Sequence, residues 1–217
     1  MTYGLGSAMS QVNDLISCYV LAGGASTRFG QDKALAILRG KTLLERMSEL
    51  SCHFGRGVRV VAPPGRYSII GAEVVADRWP GEGPLGGIIT ALWHAKRSSG
   101  RAKWLLIVGC DMPFLTRDWL SFLAERALTS NADAVVPRSP SGLEPLCACW
   151  RIAAVDSIQT AFDEGVRKVI DGIKCMRVEV LDEADWKRFD SAGRLFWNMN
   201  TRQDYEEAAR IWEQENL

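Results

Sequence analysis

The stretch CYVLAGGASTRFGQDKA (residues 18–34) joins an apolar run to a glycine-rich, basic loop. Its first five residues are typical of a short buried β-strand, which would end at Gly23-Gly24. In an open α/β sheet, ligands bind outside the carboxyl ends of the strands. The two glycines permit close approach of a ligand to the backbone, and Arg28 and Lys33 add two cations. The loop therefore predicts an anion site, and a phosphate group is the anion that we expect there.

The spacing of this loop differs from that of the two common glycine-rich phosphate motifs. The P-loop has four residues between its glycines and then continues Gly-Lys-Ser/Thr, whereas five residues separate Gly24 from Gly30 here. The dinucleotide pattern GxGxxG is absent from the sequence as well. A bare Gly-Gly pair would favour a tight turn with solvated charges. Two glycines and two cations after the first strand favour phosphate binding instead.

Strand-like and helix-like patterns alternate through the first two thirds of the chain. Short apolar runs predict strands at 18–22, 58–62, 73–76, 104–108, 134–136, 146–150 and, half exposed, 176–180. Apolar residues spaced three and four apart predict helices at 42–54, 84–95, 116–127, 152–162 and from about 201. The alternation predicts a three-layer, Rossmann-like α/β fold with a mostly parallel central sheet. Residues from about 138 to 200 are more strand-like and predict a flap or a small mixed extension of the sheet.

The composition narrows the class of protein. Lys+Arg and Asp+Glu number 26 each, so the formal net charge is zero, which argues against broad electrostatic capture of nucleic acid or of a membrane. Six cysteines without a CxxC pair, and only two histidines, argue against a zinc site and predict free, buried thiols. We expect one domain at 17–217, a loose leader at 1–16 without a signal peptide, and a cytoplasmic location.

Carboxylates follow two further predicted strands at the same edge of the sheet. Asp111, in VGCDMPFL (108–115), comes after the almost wholly apolar strand predicted at 104–108. Asp77 stands at the end of the strand predicted at 73–76. Mg²⁺ prefers one or two carboxylates together with phosphate oxygens and waters. Asp111 is therefore a candidate Mg²⁺ ligand. The alternative is that Asp111 only caps the turn before Pro113.

Three other segments could contribute to a site. Glycines surround the start of the helix that follows Gly83-Pro84, where they could admit an anion or only allow close packing on the sheet. Asn198 and Asn200 would point the same way if FWNMNT is a strand, although Asn200 could equally belong to the N-cap region of the last helix. Glu144, in GLEPLCACW, precedes Pro145 and an apolar strand, and the alternative is that it only lies on the surface.

The motifs LAGGASTRFGQDKA, GPLGGI, CDMPFL, EPLCACW and FWNMNT occur in the order found in the molybdenum cofactor guanylyltransferases. The chain resembles this family from about residue 17 to residue 213. The resemblance implies a Rossmann-like nucleotidyltransferase that uses Mg²⁺, transfers GMP from GTP to the terminal phosphate of molybdopterin and releases pyrophosphate. It implies GTP and molybdopterin as partners, with transient contacts to cofactor-synthesis proteins and molybdoenzymes, and no nucleic acid or membrane partner.

The same resemblance implies roles for individual residues. The expected nucleotide-binding residues are Leu21, Ala22, Gly23, Gly24, Lys33, Asp77 and Asp111. Lys33 matches the lysine that contacts the triphosphate, and Asp111 matches the aspartate that also touches Mg²⁺. Together with Arg28 they are the expected catalytic groups. Asn198 and Asn200 resemble the asparagines near the pterin substrate.

One departure from the family concerns the choice of base. Some members have an asparagine after the second strand that contacts the nucleotide, whereas this chain reads VVAPPG, with Ala62 and Pro63 at that place. A molybdopterin cytidylyltransferase, a sugar-phosphate nucleotidyltransferase and a non-catalytic nucleotide sensor remain alternatives. A sugar-phosphate enzyme normally needs a larger insertion, and a sensor would lose the metal ligand that Asp111 supplies. A metal-dependent glycosyltransferase would need a DxD motif, which Asp111-Met-Pro is not.

Overall fold

The computed structural model of the protein describes residues 14–23, 32–55, 57–98 and 100–214. Gly24 and Arg28 of the predicted anion loop lie outside the described residues, as do residues 1–13 of the predicted leader. The first strand begins at Ile16, the last residue of that leader, and Ile16 is buried.

Strands and helices alternate along the described chain. The strands are β1 (Ile16–Leu21), β2 (Ile37–Leu38), β3 (Lys41–Thr42), β4 (Val58–Ala62), β5 (Ala72–Ala76), β6 (Trp104–Gly109), β7 (Ala134–Ser139), β8 (Gly142–Leu143), β9 (Cys147–Arg151) and β10 (Val178–Leu181). The α-helices are α1 (Leu43–Ser51), α2 (Pro84–Arg97), α3 (Arg117–Thr129), α4 (Val155–Asp163), α5 (Val169–Gly172), α6 (Glu183–Trp186) and α7 (Arg202–Gln214). Short 3₁₀ helices lie at Lys33–Leu35, Ile152–Ala154, Ile173–Cys175 and Lys187–Phe189.

The central sheet has the strand order β10-β7-β9-β6-β1-β4-β5, with β8 paired to β7. β1 runs parallel to β4 on one side and to β6 on the other, and β4 runs parallel to β5. β9 is antiparallel to β6 and to β7, whereas β10 is parallel to β7. The predicted mostly parallel α/β fold is confirmed. Its mixed part belongs to the central sheet and does not form a separate flap.

Helices cover both faces of this sheet because successive side chains of a strand point to opposite faces. Cys18 and Val20 of β1 belong to a core cluster with buried residues of α1 and α3. Tyr19 and Leu21 belong to a second cluster with buried residues of α2 and α4. Burial on both faces explains why β1 and β6 read as nearly continuous apolar runs. A third, small cluster packs α7 against the β2–β3 hairpin and α1.

Local signals for the helices agree with the structure at most positions. Thr116, the first residue of the helix predicted at 116–127, is the N-cap of α3, and its hydroxyl accepts a hydrogen bond from the backbone N–H of Trp119 at 3.3 Å. Two expectations were wrong. The helix predicted at 42–54 ends at Ser51, so His53 lies beyond α1 and not within it. Two of the six free cysteines, Cys52 and Cys175, are exposed and not buried. No helix among the described residues combines the length and the apolar character needed to cross a membrane.

Candidate functional site

A cleft of about 250 Å³ opens at the carboxyl ends of the central strands. It forms where the strand order reverses, since the chain builds β4 and β5 on one side of β1 before it adds β6 on the other. Leu21 at the end of β1 lies opposite Gly109 of β6 and Val61 of β4. The lining includes Leu21, Ala22, Gly23, Asp32, Lys33, Tyr67, Asp77, Gly83, Gly109, Cys110, Asp111 and Leu146. All predicted nucleotide-binding residues that the structure describes therefore lie around one cleft.

An ion pair between Lys33 and Asp111 joins two of the sequence motifs. Lys33 Nζ donates to Asp111 Oδ2 at 2.7 Å, and each side chain is only 17% exposed. Lys33 begins a 3₁₀ helix whose N-cap is Asp32, which sets the direction of the lysine. Lys33 Nζ also donates to Asn200 Oδ1 at 3.3 Å. Three segments far apart in the sequence thus meet at one ammonium group.

The position of the Asp111 carboxylate depends on Gly109, which the sequence analysis did not single out. A Cβ atom on Gly109 would lie 2.7 Å from Asp111 Oδ1, closer than real Cβ contacts. The Gly109 N–H donates to the carbonyl of Leu146 at 2.7 Å, and the Asp111 carbonyl accepts from the N–H of Met199 at 2.9 Å. The carboxylate therefore occupies space that the missing side chain leaves. A glycine immediately ahead of Cys-Asp was the sequence signal that could have revealed this.

Asp77 is a buried carboxylate whose two oxygens have different surroundings. Oδ1 accepts from the backbone N–H of Trp79 at 3.1 Å and from the hydroxyl of Thr90 at 3.0 Å. Oδ2 lies 3.7 Å from the place where a Cβ of Gly23 would stand. One oxygen anchors the side chain on α2 and the turn after β5, and the other lies beside the glycine turn that follows β1.

A second polar cluster, formed by Asp32, Tyr67 and Arg66, lies on the cleft and was not predicted from the sequence. Asp32 Oδ2 accepts from the Tyr67 hydroxyl at 2.7 Å and from Arg66 Nε at 2.9 Å, while its Oδ1 accepts from the N–H of Ala34. Burial, with the Asp32 carboxylate next to it, raises the pKa of Tyr67 well above its usual range. Tyr67 therefore remains a neutral donor that holds Asp32. The chain between β4 and β5 has no strand or helix periodicity, so no sequence pattern indicates this contact.

A second cavity of about 650 Å³ adjoins the first and shares Gly81, Gly83, Pro84 and Leu146 with it. Its other polar lining residues include Glu82, Glu144, Arg167, Lys168 and Asn198. Residues 197–200 form no strand, so the expected alternation of Asn198 and Asn200 does not apply. Asn198 lines this second cavity, whereas Asn200 precedes α7 and contacts Lys33.

Glu144 is buried, so the alternative that it only lies on the surface is wrong. Its carboxylate accepts from the Ser139 hydroxyl at 2.6 Å and from the Asn198 side chain. Burial raises the pKa of Glu144, and the two hydrogen bonds oppose that shift. No local pattern in the sequence indicates this burial, because it depends on the β7–β8 hairpin and on a segment more than fifty residues later.

The residues around Asp111 suit a hard cation better than a soft one. Among the described residues, no three His, Cys, Asp or Glu side chains are grouped as a metal site of their own. Mg²⁺ needs no such group, since it binds through one or two carboxylates together with substrate phosphates and waters. The Asp111 carboxylate, held over Gly109 at the cleft wall, fits that requirement.

Comparison with known proteins agrees with this geometry. The family model of the MobA-like NTP transferase domain matches residues 18–179. A probable molybdenum cofactor guanylyltransferase of Deinococcus radiodurans is 37% identical over 156 residues, which cover 71% of this chain and 77% of that protein. A molybdenum cofactor guanylyltransferase of Desulfosudis oleivorans is 30% identical over 198 residues, covering 90% and 95% of the two chains.

Solved structures give the same result. The molybdopterin-guanine dinucleotide biosynthesis protein A of Archaeoglobus fulgidus superposes with a TM-score of 0.78 at 27% identity, covering 91% of this chain and 99% of that one. The 2-C-methyl-D-erythritol 4-phosphate cytidylyltransferase of Thermus thermophilus, at 17% identity and a TM-score of 0.67, covers 92% and 99% and shares the fold. On its sequence match and its fold, the chain belongs to the family of MobA-like NTP transferases.

Proposed function

We propose that this protein transfers GMP from GTP to the terminal phosphate of molybdopterin. The products are pyrophosphate and the guanine dinucleotide form of the cofactor. The observation that carries the proposal is the pair of adjoining cavities with the Lys33–Asp111 ion pair on the wall of the first. The first cavity would take the nucleotide and the second the pterin. The names of the relatives support GTP as the donor and molybdopterin as the acceptor.

The chemistry requires positioning and charge stabilisation more than proton transfer. An anionic oxygen of the molybdopterin phosphate attacks the α-phosphorus of GTP and forms a new P–O bond. The bond from the α-phosphorus to the oxygen bridging to the β-phosphate breaks, and pyrophosphate leaves with the electron pair. Because the attacking oxygen is already charged, no general base is needed. Binding both phosphates in line would supply most of the acceleration.

The charged residues of the predicted site can divide this work between the two phosphates. Lys33, with Arg28 of the preceding loop, would stabilise the charge that develops on the leaving pyrophosphate. Asp111 would hold Mg²⁺, which when bound neutralises negative charge on the phosphate oxygens. Lys33 keeps the Asp111 carboxylate in place at 2.7 Å. Asn200, which accepts from the same ammonium group, keeps Lys33 at the cleft.

The nucleoside would lie against the turn that follows β1. Leu21 and Val61 offer an apolar wall there, and Asp77 Oδ2 and the Gly23 backbone offer polar atoms. Since Ala62 and Pro63 occupy the place of the family's asparagine, we propose that backbone groups of this turn and Asp77 select guanine. Base selection is the part of the proposal that an experiment can test most directly.

Pyrophosphate release distinguishes the proposed function from its alternatives. The purified protein would be incubated with Mg²⁺, molybdopterin and GTP, CTP or ATP in turn, and with GTP and a sugar phosphate. Among these combinations, we expect pyrophosphate release only from the one that contains both GTP and molybdopterin. Release with CTP only would make the protein a cytidylyltransferase, and release with a sugar phosphate a sugar-phosphate enzyme. GTP binding without any release would make it a nucleotide sensor.

A further inference from the structure

The side-chain amide of Asn198 is held by two acceptors. Its Nδ2 donates to the backbone carbonyl of Phe196 at 3.3 Å and to the buried carboxylate of Glu144. Glu144 is itself fixed by the Ser139 hydroxyl at 2.6 Å, and Ser139 in turn accepts from the N–H of Ser141 at 3.0 Å. The amide is therefore the end of a hydrogen-bonded chain that begins in the β7–β8 hairpin.

This arrangement allows only one orientation of the amide. An amide group has one end with two N–H donors and one end with a carbonyl oxygen. If the Asn198 amide were turned over, its carbonyl oxygen would face a carboxylate and a carbonyl, and all of these groups are acceptors. The two acceptors thus consume the donors of Asn198. What the side chain retains for a ligand in the second cavity is the carbonyl oxygen.

We propose that Glu144 is a positioning residue that fixes this orientation, so that Asn198 Oδ1 accepts a hydrogen bond from an N–H group of the acceptor substrate. The proposal rests on the proposed function and deepens it. A pterin ring carries an amino group and ring N–H groups, so it offers the donor that Oδ1 requires. An acceptor that presents only carbonyl or phosphate oxygens at this point would be rejected, because it would leave two acceptors facing each other.

Glu144 acts through Asn198 and not by touching the substrate itself. Only 7% of the residue is exposed, and its carboxylate is already engaged by Ser139 and Asn198. A carboxylate accepts a stronger hydrogen bond from an amide than a neutral oxygen does. The negative charge therefore strengthens the hold on Asn198 while the side chain stays out of the reaction.

Replacing Glu144 by leucine puts an apolar side chain of comparable size in its place and removes the acceptor. We expect Glu144→Leu to raise the KM for molybdopterin about 10- to 100-fold, the loss of one charged hydrogen bond, with the KM for GTP unchanged. Glu144→Gln should restore the KM to within about threefold, because its amide oxygen accepts from Asn198 while its NH₂ faces Ser139. Glu125→Leu, on the exposed face of α3, is the matched control and should leave both values unchanged.

A double-mutant cycle separates positioning from structural damage. In the background of Asn198→Ala, adding Glu144→Leu should change the KM for molybdopterin less than about twofold, since the two residues act as one unit. The inference would be overturned if the effects of the two substitutions on the KM for molybdopterin multiplied in the double variant. It would also be overturned if Glu144→Leu left that KM unchanged, or raised the KM for GTP equally. If the wild-type protein itself transfers no GMP to molybdopterin, the proposed function is wrong, and so is this inference, which rests on it.

Discussion

At the scale of single residues, the cleft is organised around the ammonium group of Lys33. It is shared between Asp111 and Asn200, and both members of the Lys33–Asp111 pair are largely buried. A charge pair out of water is screened less than a surface pair, so removing one partner leaves the other uncompensated. Substitutions at Lys33 and at Asp111 are therefore expected to have large but distinct effects.

Replacing Lys33 removes the cation that we place beside the triphosphate. We expect Lys33→Ala to lower kcat/KM for GTP by about 10²- to 10³-fold, the usual cost of losing one charge-stabilising donor. Steady-state pyrophosphate release measures it. Lys41→Ala, an exposed lysine paired with Glu49 on α1, should leave kcat/KM unchanged. A Lys33→Ala enzyme with wild-type kinetics would remove this lysine from the nucleotide site.

Asp111 should control the response to Mg²⁺. Asp111→Asn keeps the shape of the side chain but lacks the negative charge, so the half-saturating Mg²⁺ concentration should rise at least about tenfold and kcat should fall about 100-fold. The measurement is the rate of GMP transfer as a function of Mg²⁺ concentration. Asp118→Asn, exposed in the first turn of α3, is the control. An unaltered Mg²⁺ dependence in Asp111→Asn would contradict the role of this carboxylate.

Gly109 tests whether the exact place of that carboxylate matters. In Gly109→Ala, the new methyl group would meet Asp111 Oδ1 at 2.7 Å and force the carboxylate to move. Since a displacement of about 1 Å can cost a hundredfold in rate, we expect kcat to fall by about that factor. Gly100→Ala is the control, because its nearest neighbour would be 4.0 Å away. Wild-type kcat in Gly109→Ala would show that the carboxylate tolerates displacement.

Some of these residues can be predicted from sequence and others cannot. Asp111 and Asp77 follow apolar strands directly, and strand ends meet at one edge of a parallel sheet. Glu144 also stands close to an apolar strand, but its burial comes from residues about five and about fifty positions away. The apolar pattern of a short segment predicts which residues end a strand. It does not predict which side chains from distant segments will cover those residues.

At the scale of elements, the start of α3 was better predicted than the irregular segment at 197–200. Thr116 ahead of an amphipathic stretch is a clear N-cap, because its hydroxyl can satisfy a backbone N–H that the first turn leaves free. Residues 197–200 alternate in sequence like a strand but form none. Their backbone is instead tied to the loop after β6, through Met199 and Asp111. Short alternation is a weak signal when a tertiary contact supplies the hydrogen bonds.

The N-cap of α3 is a suitable element to test separately from catalysis. Thr116→Ala should cost about 1 kcal/mol of unfolding free energy, which lowers the melting temperature by about 2–4 °C in a domain of this size. Thr116→Ser keeps the oxygen and should restore most of that loss. Calorimetry gives both values. A drop in kcat without a drop in melting temperature would show that the cap acts on the site and not on the helix.

At the scale of the whole molecule, the alternation of strands and helices was enough to predict the α/β fold. It could not predict that β9 runs antiparallel between β6 and β7, because a buried apolar run carries no information about direction. The consequence is functional. The reversed strand brings Leu146, just ahead of β9, to the end of β6, where it lies between the two cavities.

The cysteines can be used to measure how readily the central sheet opens, because some of the thiols are buried in its strands and others are exposed. Cys18 and Cys147 lie in central strands, and burial raises the pKa of each thiol to about 12 from an ordinary value of 9.0. Only Cys52 and Cys175 are exposed among the six free cysteines. At pH 8 we expect a chromogenic disulfide reagent to modify two thiols rapidly and four slowly, because the thiolate is the reactive form.

The slow phase should report global stability. Because the folded pKa of the buried thiols lies above the unfolded one, ionisation favours the unfolded chain, and the unfolding free energy should fall as pH rises from 9 towards 12. GTP, which binds only the folded cleft, should slow this phase by a factor of one plus the ratio of the GTP concentration to its Kd. Replacing Cys52 and Cys175 by serine should remove the fast phase and leave the slow one unchanged. Rapid reaction of more than two thiols in the native protein would mean that the sheet opens locally, without unfolding of both cores.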